Sequence, residues 1–92
     1  MIEWKTIHED SRYREFRGII GDKTILHLEC QKNKDGSWSI FIISRKISNF
    51  KMISWNNRWN KDKVLAYVWE KAQENGEIRD LIFDMIFNGG IQ

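Results

Sequence analysis

The sequence predicts an α+β fold: an antiparallel β-meander of 3–5 strands followed by one long α-helix and a shorter C-terminal helix. Three observations carry this. Residues 23–31 and 37–47 sort their side chains into two alternating sets with a period of two, as strands do. The stretch is punctuated by residues that suit tight turns, at Gly21-Asp22, at Asn33-Lys34-Asp35-Gly36 and at Ser48-Asn49. From Val64 onward the apolar spacing lengthens to that of a helix.

In order along the chain, Ile2, Trp4 and Thr6 alternate with Glu3, Lys5 and Ile7, which suits a short edge strand, and Glu9-Asp10-Ser11 reads as a turn. Residues 12–20 form the next strand and end at Gly21-Asp22, where glycine supplies the positive φ of a type II′ hairpin. Residues 23–31 return, with Thr24, Leu26, Leu28 and Cys30 on one side and Ile25, His27 and Glu29 on the other. Asn33-Lys34-Asp35-Gly36 fits a type I turn closed by a left-handed glycine. Residues 37–47 and 50–55 follow as strands, joined at Ser48-Asn49. After a loop over 56–59, Asn60 is placed to cap a helix carrying Val64, Leu65, Val68, Trp69 and Ala72. Asn75-Gly76 is a stop signal, with Gly76 as the left-handed residue after the helix. Residues 77–87 form the last helix, with Ile78, Leu81, Ile82, Met85 and Ile86 on one stripe.

The turns also set a register. With Ile20 opposite Lys23, Tyr13 falls opposite Cys30, Arg14 opposite Glu29 and Phe16 opposite His27. With Asn33 opposite Ser37, Cys30 falls opposite Ile40 and Leu28 opposite Ile42. One face then holds Tyr13, Ile19, Leu26, Leu28, Cys30, Trp38, Ile40 and Ile42, and the 64–72 helix is expected to cover it. The other holds Arg12, Arg14, Phe16, Ile25, His27, Glu29, Phe41, Ile43 and Arg45. Four large apolar groups rimmed by arginines need a cover of their own. The terminal helix, a second copy of the chain and a partner are the three options.

At 92 residues, the chain is the size of one domain, 1–92. Its 41% hydrophobic and 30% charged content is that of a globular domain, and five tryptophans enlarge the area a small core buries. One cysteine forms no internal disulfide, and neither a signal peptide nor a membrane-spanning run is visible, so a cytoplasmic location is the expectation. The net charge of +2 is unevenly spread: residues 45–63 carry six bases and one acid, residues 64–92 two bases and five acids.

Catalytic motifs are missing. There is no G-x-S-x-G, no P-loop and no dinucleotide fingerprint. His27 and Cys30, three apart on a strand, point to opposite faces, so no metal site and no cofactor are expected. Cys30 reads as a core thiol, and Glu70 with Glu74 as a solvated helix face. The chain is therefore not expected to be an enzyme.

Segment 45–63 interleaves bases with flat aromatics. Arg45, Lys46, Lys51, Arg58, Lys61 and Lys63 would neutralise phosphates while Trp55 or Trp59 stacks on a base. The same pattern fits a strand running into a helix, with its aromatics buried and its lysines solvated.

Gly36-x-Trp38 opening one strand, a following strand over 51–55 and a helix containing Ala66 and Ala72 resemble the AP2-type DNA-binding domain and the arm-binding domains of some integrases. The likeness spans about 35 residues and implies nucleic-acid binding; bulky apolar residues stand along the sheet where that pattern has arginines. In size, Lys/Asn/Ile-rich composition and lack of catalytic motifs, the whole chain also resembles small phage or prophage accessory proteins of the anti-CRISPR and other anti-defence kinds. That resemblance implies inhibition by occluding a host protein.

The leading expectation is thus a non-catalytic protein that occludes a protein partner through Arg14, Phe16, Phe41 and Arg45, with a homodimer where the second face meets its own copy. The alternative is a nucleic-acid-binding domain using the basic-aromatic segment.

Overall fold

The computed structural model describes residues 1–43 and 51–88. Its elements are β1 (Glu3–Glu9), β2 (Tyr13–Ile20), β3 (Lys23–Lys32), β4 (Trp38–Ile43), β5 (Lys51–Trp55), α1 (Lys61–Glu74) and α2 (Gly76–Asn88). The five strands pair in chain order as one antiparallel meander. The Ser48-Asn49 turn and residues 44–47 lie outside the described residues.

Two turns behave as their chemistry dictates. Gly21 has φ +64° and, among the described residues, no non-glycine residue has positive φ, which is the pattern of a type II′ rather than a type I′ hairpin. Gly36 has φ +90°, the Gly36 N–H donates to the Asn33 carbonyl at 3.1 Å, and the Asn33 N–H donates to the Ser37 carbonyl at 2.8 Å. The register that follows matches expectation, with Cys30 opposite Ile40 and Leu28 opposite Ile42.

The first hairpin departs from the turn-based register part-way along. Ile20 opposes Lys23, but Gly18 opposes Leu26 while Ile19 opposes Thr24, which leaves Ile25 as an extra residue. A bulge of this kind re-aims side chains and shifts everything beyond it by one. Ile25 and Leu26 are both fully buried. Past the bulge, Phe16 opposes Leu28 and Arg14 opposes Cys30, so both lie on the helix-covered face. Tyr13, Glu15 and Arg17 take the other. The predicted placement of Tyr13 and Ile19 on the first face, and of Arg14, Phe16 and Ile25 on the second, is corrected by this single insertion. A second irregularity, at Ile7, lets β1 follow β2.

Asn60 caps α1, its side chain accepting from the Lys63 N–H at 3.1 Å. The end of that helix differs from expectation. Gly76 has no positive φ and belongs to α2. Asn75 is extended, and its side chain accepts from the Ile78 N–H at 3.0 Å, so it caps the second helix.

Both helices lie on one face of the sheet. Val64, Leu65, Val68 and Ala72 of α1 join Ile78, Leu81, Ile82 and Met85 of α2 in one buried cluster with Phe16, Leu26, Leu28, Cys30, Trp38, Ile40 and Ile42. Lys23 donates to the Ile86 carbonyl, tying the first hairpin to α2. At the rim, Gly18 lets Trp4 cross close over the strand: a Cβ there would meet Ile2 Cδ1 at 2.7 Å and Trp4 Cζ3 at 2.9 Å. The terminal helix therefore joins the first face and leaves the second to other cover.

Candidate functional site

The polar part of the open face lies on β2 and β3. Glu15 stands directly opposite Glu29, with Tyr13 and His27 each two residues along and diagonal to the far carboxylate. The Tyr13 hydroxyl lies 2.9 Å from Oε1 of Glu15 and 2.9 Å from Oε1 of Glu29. His27 Nε2 lies 3.2 Å from Oε2 of Glu15, with these two side chains 21% and 20% exposed. Like charges set directly opposite repel, so these contacts offset a cost built into the register. Burial, and then the two carboxylates, push the Tyr13 hydroxyl's pKa well above the phenol range. Glu15, His27 and Glu29 each offer a ligand atom within 4.8 Å of the others, the arrangement that could hold a metal ion.

Beside this polar quartet the face turns apolar. Phe41 and Ile43 of β4 are half-buried, and with Glu29 and Gln31 they line a shallow depression of about 220 Å³. Met52 of β5 is 57% exposed. Both described helices pack on the opposite side of the sheet.

A second feature lies at one end of the sheet. Antiparallel connectivity brings together the β1–β2 turn, the β3–β4 turn and the β5–α1 loop. A depression of about 400 Å³ is lined by Ser11, Arg12, Lys32, Asn33 and Lys34. Another, of about 550 Å³, is lined by Trp55, Asn57, Arg58, Trp59, Asn60 and Lys63. Trp38 stands between them, paired with Lys32 on one side and Trp55 on the other. Two nearby acids, Asp10 and Asp35, are engaged within their own turns. Asp10 accepts from the Arg12 and Tyr13 N–H groups and contacts His8, and Asp35 accepts from Ser37. The His8 contact and the two N–H donors lower the Asp10 carboxyl to about 2.

The structure redistributes the residues expected to bind a protein. Phe16 has no accessible surface. The Arg14 guanidinium is clamped 4.7 Å from the Trp38 ring and 4.6 Å from the Trp59 ring, and its Nε donates to the Asp10 carbonyl. Phe41 is on the open face, and Arg45 lies outside the described residues, as does Lys46.

Of the basic-aromatic segment, Lys51 opens β5 at the β4–β5 end of the sheet, whereas Lys63 lies in the first turn of α1 at the opposite end, so the segment is not one continuous surface. Trp59 stacks on Phe16 and tilts against Trp38, and Lys61 donates to the Thr6 hydroxyl at 2.7 Å, so both knit the core edge. Trp55 is half-buried against Tyr67, with its Nε1–H on the Arg58 carbonyl. Arg58 and Lys63 are exposed.

Sequence reasoning missed the quartet because it weighed His27 against Cys30 along one strand. Its partners come from across the hairpin. It missed Arg12, Lys32 and Lys34 because they lie far from segment 45–63 in the chain. Cys30 is fully buried, which pushes its thiol up to about 12 and removes it as a nucleophile at neutral pH. Among the described residues, no helix is long and apolar enough to cross a membrane.

Comparison of the chain with family models, curated proteins and solved structures returned no match.

Proposed function

We propose that this is a non-catalytic binding protein that acts by laying the open face of its sheet on a protein partner and occluding it. The observation that supports this reading is the segregation of the two faces. Both helices are spent on one side, while the other presents Phe41, Ile43 and Met52 beside a half-buried polar cluster. Apolar and aromatic groups rimmed by hydrogen-bonding residues are the composition of an interface centre. The chain's resemblance to phage accessory proteins suggests inhibition of a host defence protein as the setting, in the cytoplasm of the host cell. Affinity capture from host lysate with wild type and with Ile43→Glu/Met52→Glu tests the reading. A stoichiometric partner lost in the variant, at unchanged circular dichroism, supports it. The same partner retained by the variant contradicts it. Light scattering decides whether a second copy occupies the face instead.

A second reading is favoured by the basic end. Arg12, Lys32, Lys34, Arg58 and Lys63 flank Trp38 and Trp55, and a single-stranded nucleic acid would lay its phosphates along them. With three to five phosphate contacts, affinity should fall by about 10- to 500-fold between about 50 and 200 mM salt. Absence of oligonucleotide binding at low salt, or binding unaffected by Lys32→Ala/Lys34→Ala and Arg58→Ala/Lys63→Ala, removes it.

A further inference from the structure

We infer that Glu15, His27 and Glu29, oriented by Tyr13, form a binding site for one divalent cation of the zinc class. The residues converge because of the strand register and not by sequence proximity. Glu15 and Glu29 are cross-strand partners, and His27 is diagonal to Glu15 on the same face. All stand on β2 and β3, interior strands paired on both sides.

The Tyr13 hydroxyl has a single proton but sits 2.9 Å from an oxygen of each carboxylate. It donates to one and leaves a close oxygen–oxygen contact with the other. His27 Nε2, with a proton, donates to the remaining Glu15 oxygen, and no further donor from this group reaches the pair. The two facing carboxylates concentrate negative charge between the strands, which suits a cation there.

The ligand spacing suits a tetrahedral ion. Imidazole nitrogen and carboxylate oxygen bind zinc at about 2.0–2.2 Å, so two ligands on one tetrahedral ion stand about 3.4 Å apart. His27 Nε2 and Glu15 Oε2 are already 3.2 Å apart. The Glu29 carboxylate lies within 4.8 Å of both, and a side-chain rotation of about 1 Å closes the set. Tyr13 anchors the Oε1 atoms, which turns Glu15 Oε2 toward the imidazole; this is the orienting role of outer-shell partners in metal sites. One nitrogen and two oxygens suit zinc, and its neighbours cobalt and nickel, better than magnesium or calcium. Three protein ligands leave at least one position for water or for a group on a partner. Lys5 and Arg17, which share this face, are both exposed at its solvent side.

The test uses the full chain freed of metal with a chelator and titrated with zinc chloride. Calorimetry should show one zinc per chain and a raised melting temperature. In the wild type, NMR should show the imidazole nitrogens of His27 shifting on saturation by far more than those of His8, which stands opposite Glu15 with its ring 5.6 Å from Tyr13. His27→Gln and Glu29→Gln should each weaken binding by at least about tenfold, and Tyr13→Phe should weaken it less. No saturable binding, or shifts at His8 alone, would overturn the inference. So would zinc binding left unchanged when His27→Gln and Glu29→Gln are combined.

Discussion

The two faces of this sheet use the same strands to opposite ends. On one, Phe16, Leu28, Ile40 and Ile42 are dry beneath both helices, and even the charged Arg14 is absorbed between Trp38 and Trp59. On the other, Tyr13, Glu15, His27 and Glu29 form a polar cluster beside half-buried Phe41. Phe16 and Phe41 are alike as side chains, and their fates are set by register alone. One extra residue at Ile25 decides which half of β2 belongs to which face.

Removing the bulge should break the distinction outright. Deleting Ile25 restores the turn-based register, sends Phe16 and Arg14 outward and drives Glu15 into the core, where an unpaired carboxylate is costly. The expected outcome is loss of a cooperative unfolding transition in urea. Wild-type behaviour would mean that the register is not held by the bulge.

Truncation measures the same contrast more gently. Phe16→Ala should cost about 3–5 kcal/mol, the range for a fully buried aromatic. Phe41→Ala should cost less than about half of that, because the ring is only part-buried. Denaturant unfolding of both variants checks the ratio, and equal costs would contradict the division of faces.

Smaller effects sharpen the edges. Asn60→Ala should lose about 1 kcal/mol by removing the cap of α1. Asp10 ties the β1–β2 turn, and its carboxyl is lowered from 3.8 to about 2. A depressed carboxylate contributes stability above its unfolded value that is lost as pH falls through its folded one. The turn should therefore loosen between pH 3.8 and about 2, and Asp10→Asn should flatten that part of the stability curve. An unchanged acid limb would show that the turn does not depend on this carboxylate.

Most of the architecture was legible because turns and periodicity are local signals. Gly21, Gly36 and Asn60 each have a conformational or capping role that the chemistry of a few neighbours specifies. The bulge was not legible, since Ile25 and Leu26 are both apolar and either could continue the alternation. Asn75 misled for a related reason: an asparagine between two helices serves equally as a stop for one or a cap for the next, and its bond to Ile78 settles it only in three dimensions. The candidate sites were legible in part. Arg58, Lys63 and Trp55 stood out as a run, but their neighbours Arg12 and Lys32 arrive through the meander. The Glu15–Glu29 pair depends wholly on the register that the bulge alters.

The methionines give the most direct test of the two faces. Met52 is 57% exposed on the open face, whereas Met85 is 1% exposed under the sheet. Mild peroxide oxidation of the native protein, read by mass spectrometry of peptides, should convert Met52 to its sulfoxide rapidly and leave Met85 intact until the protein unfolds. Equal rates, or protection of Met52 at concentrations where the chain is monomeric, would contradict the account of one sealed and one open face.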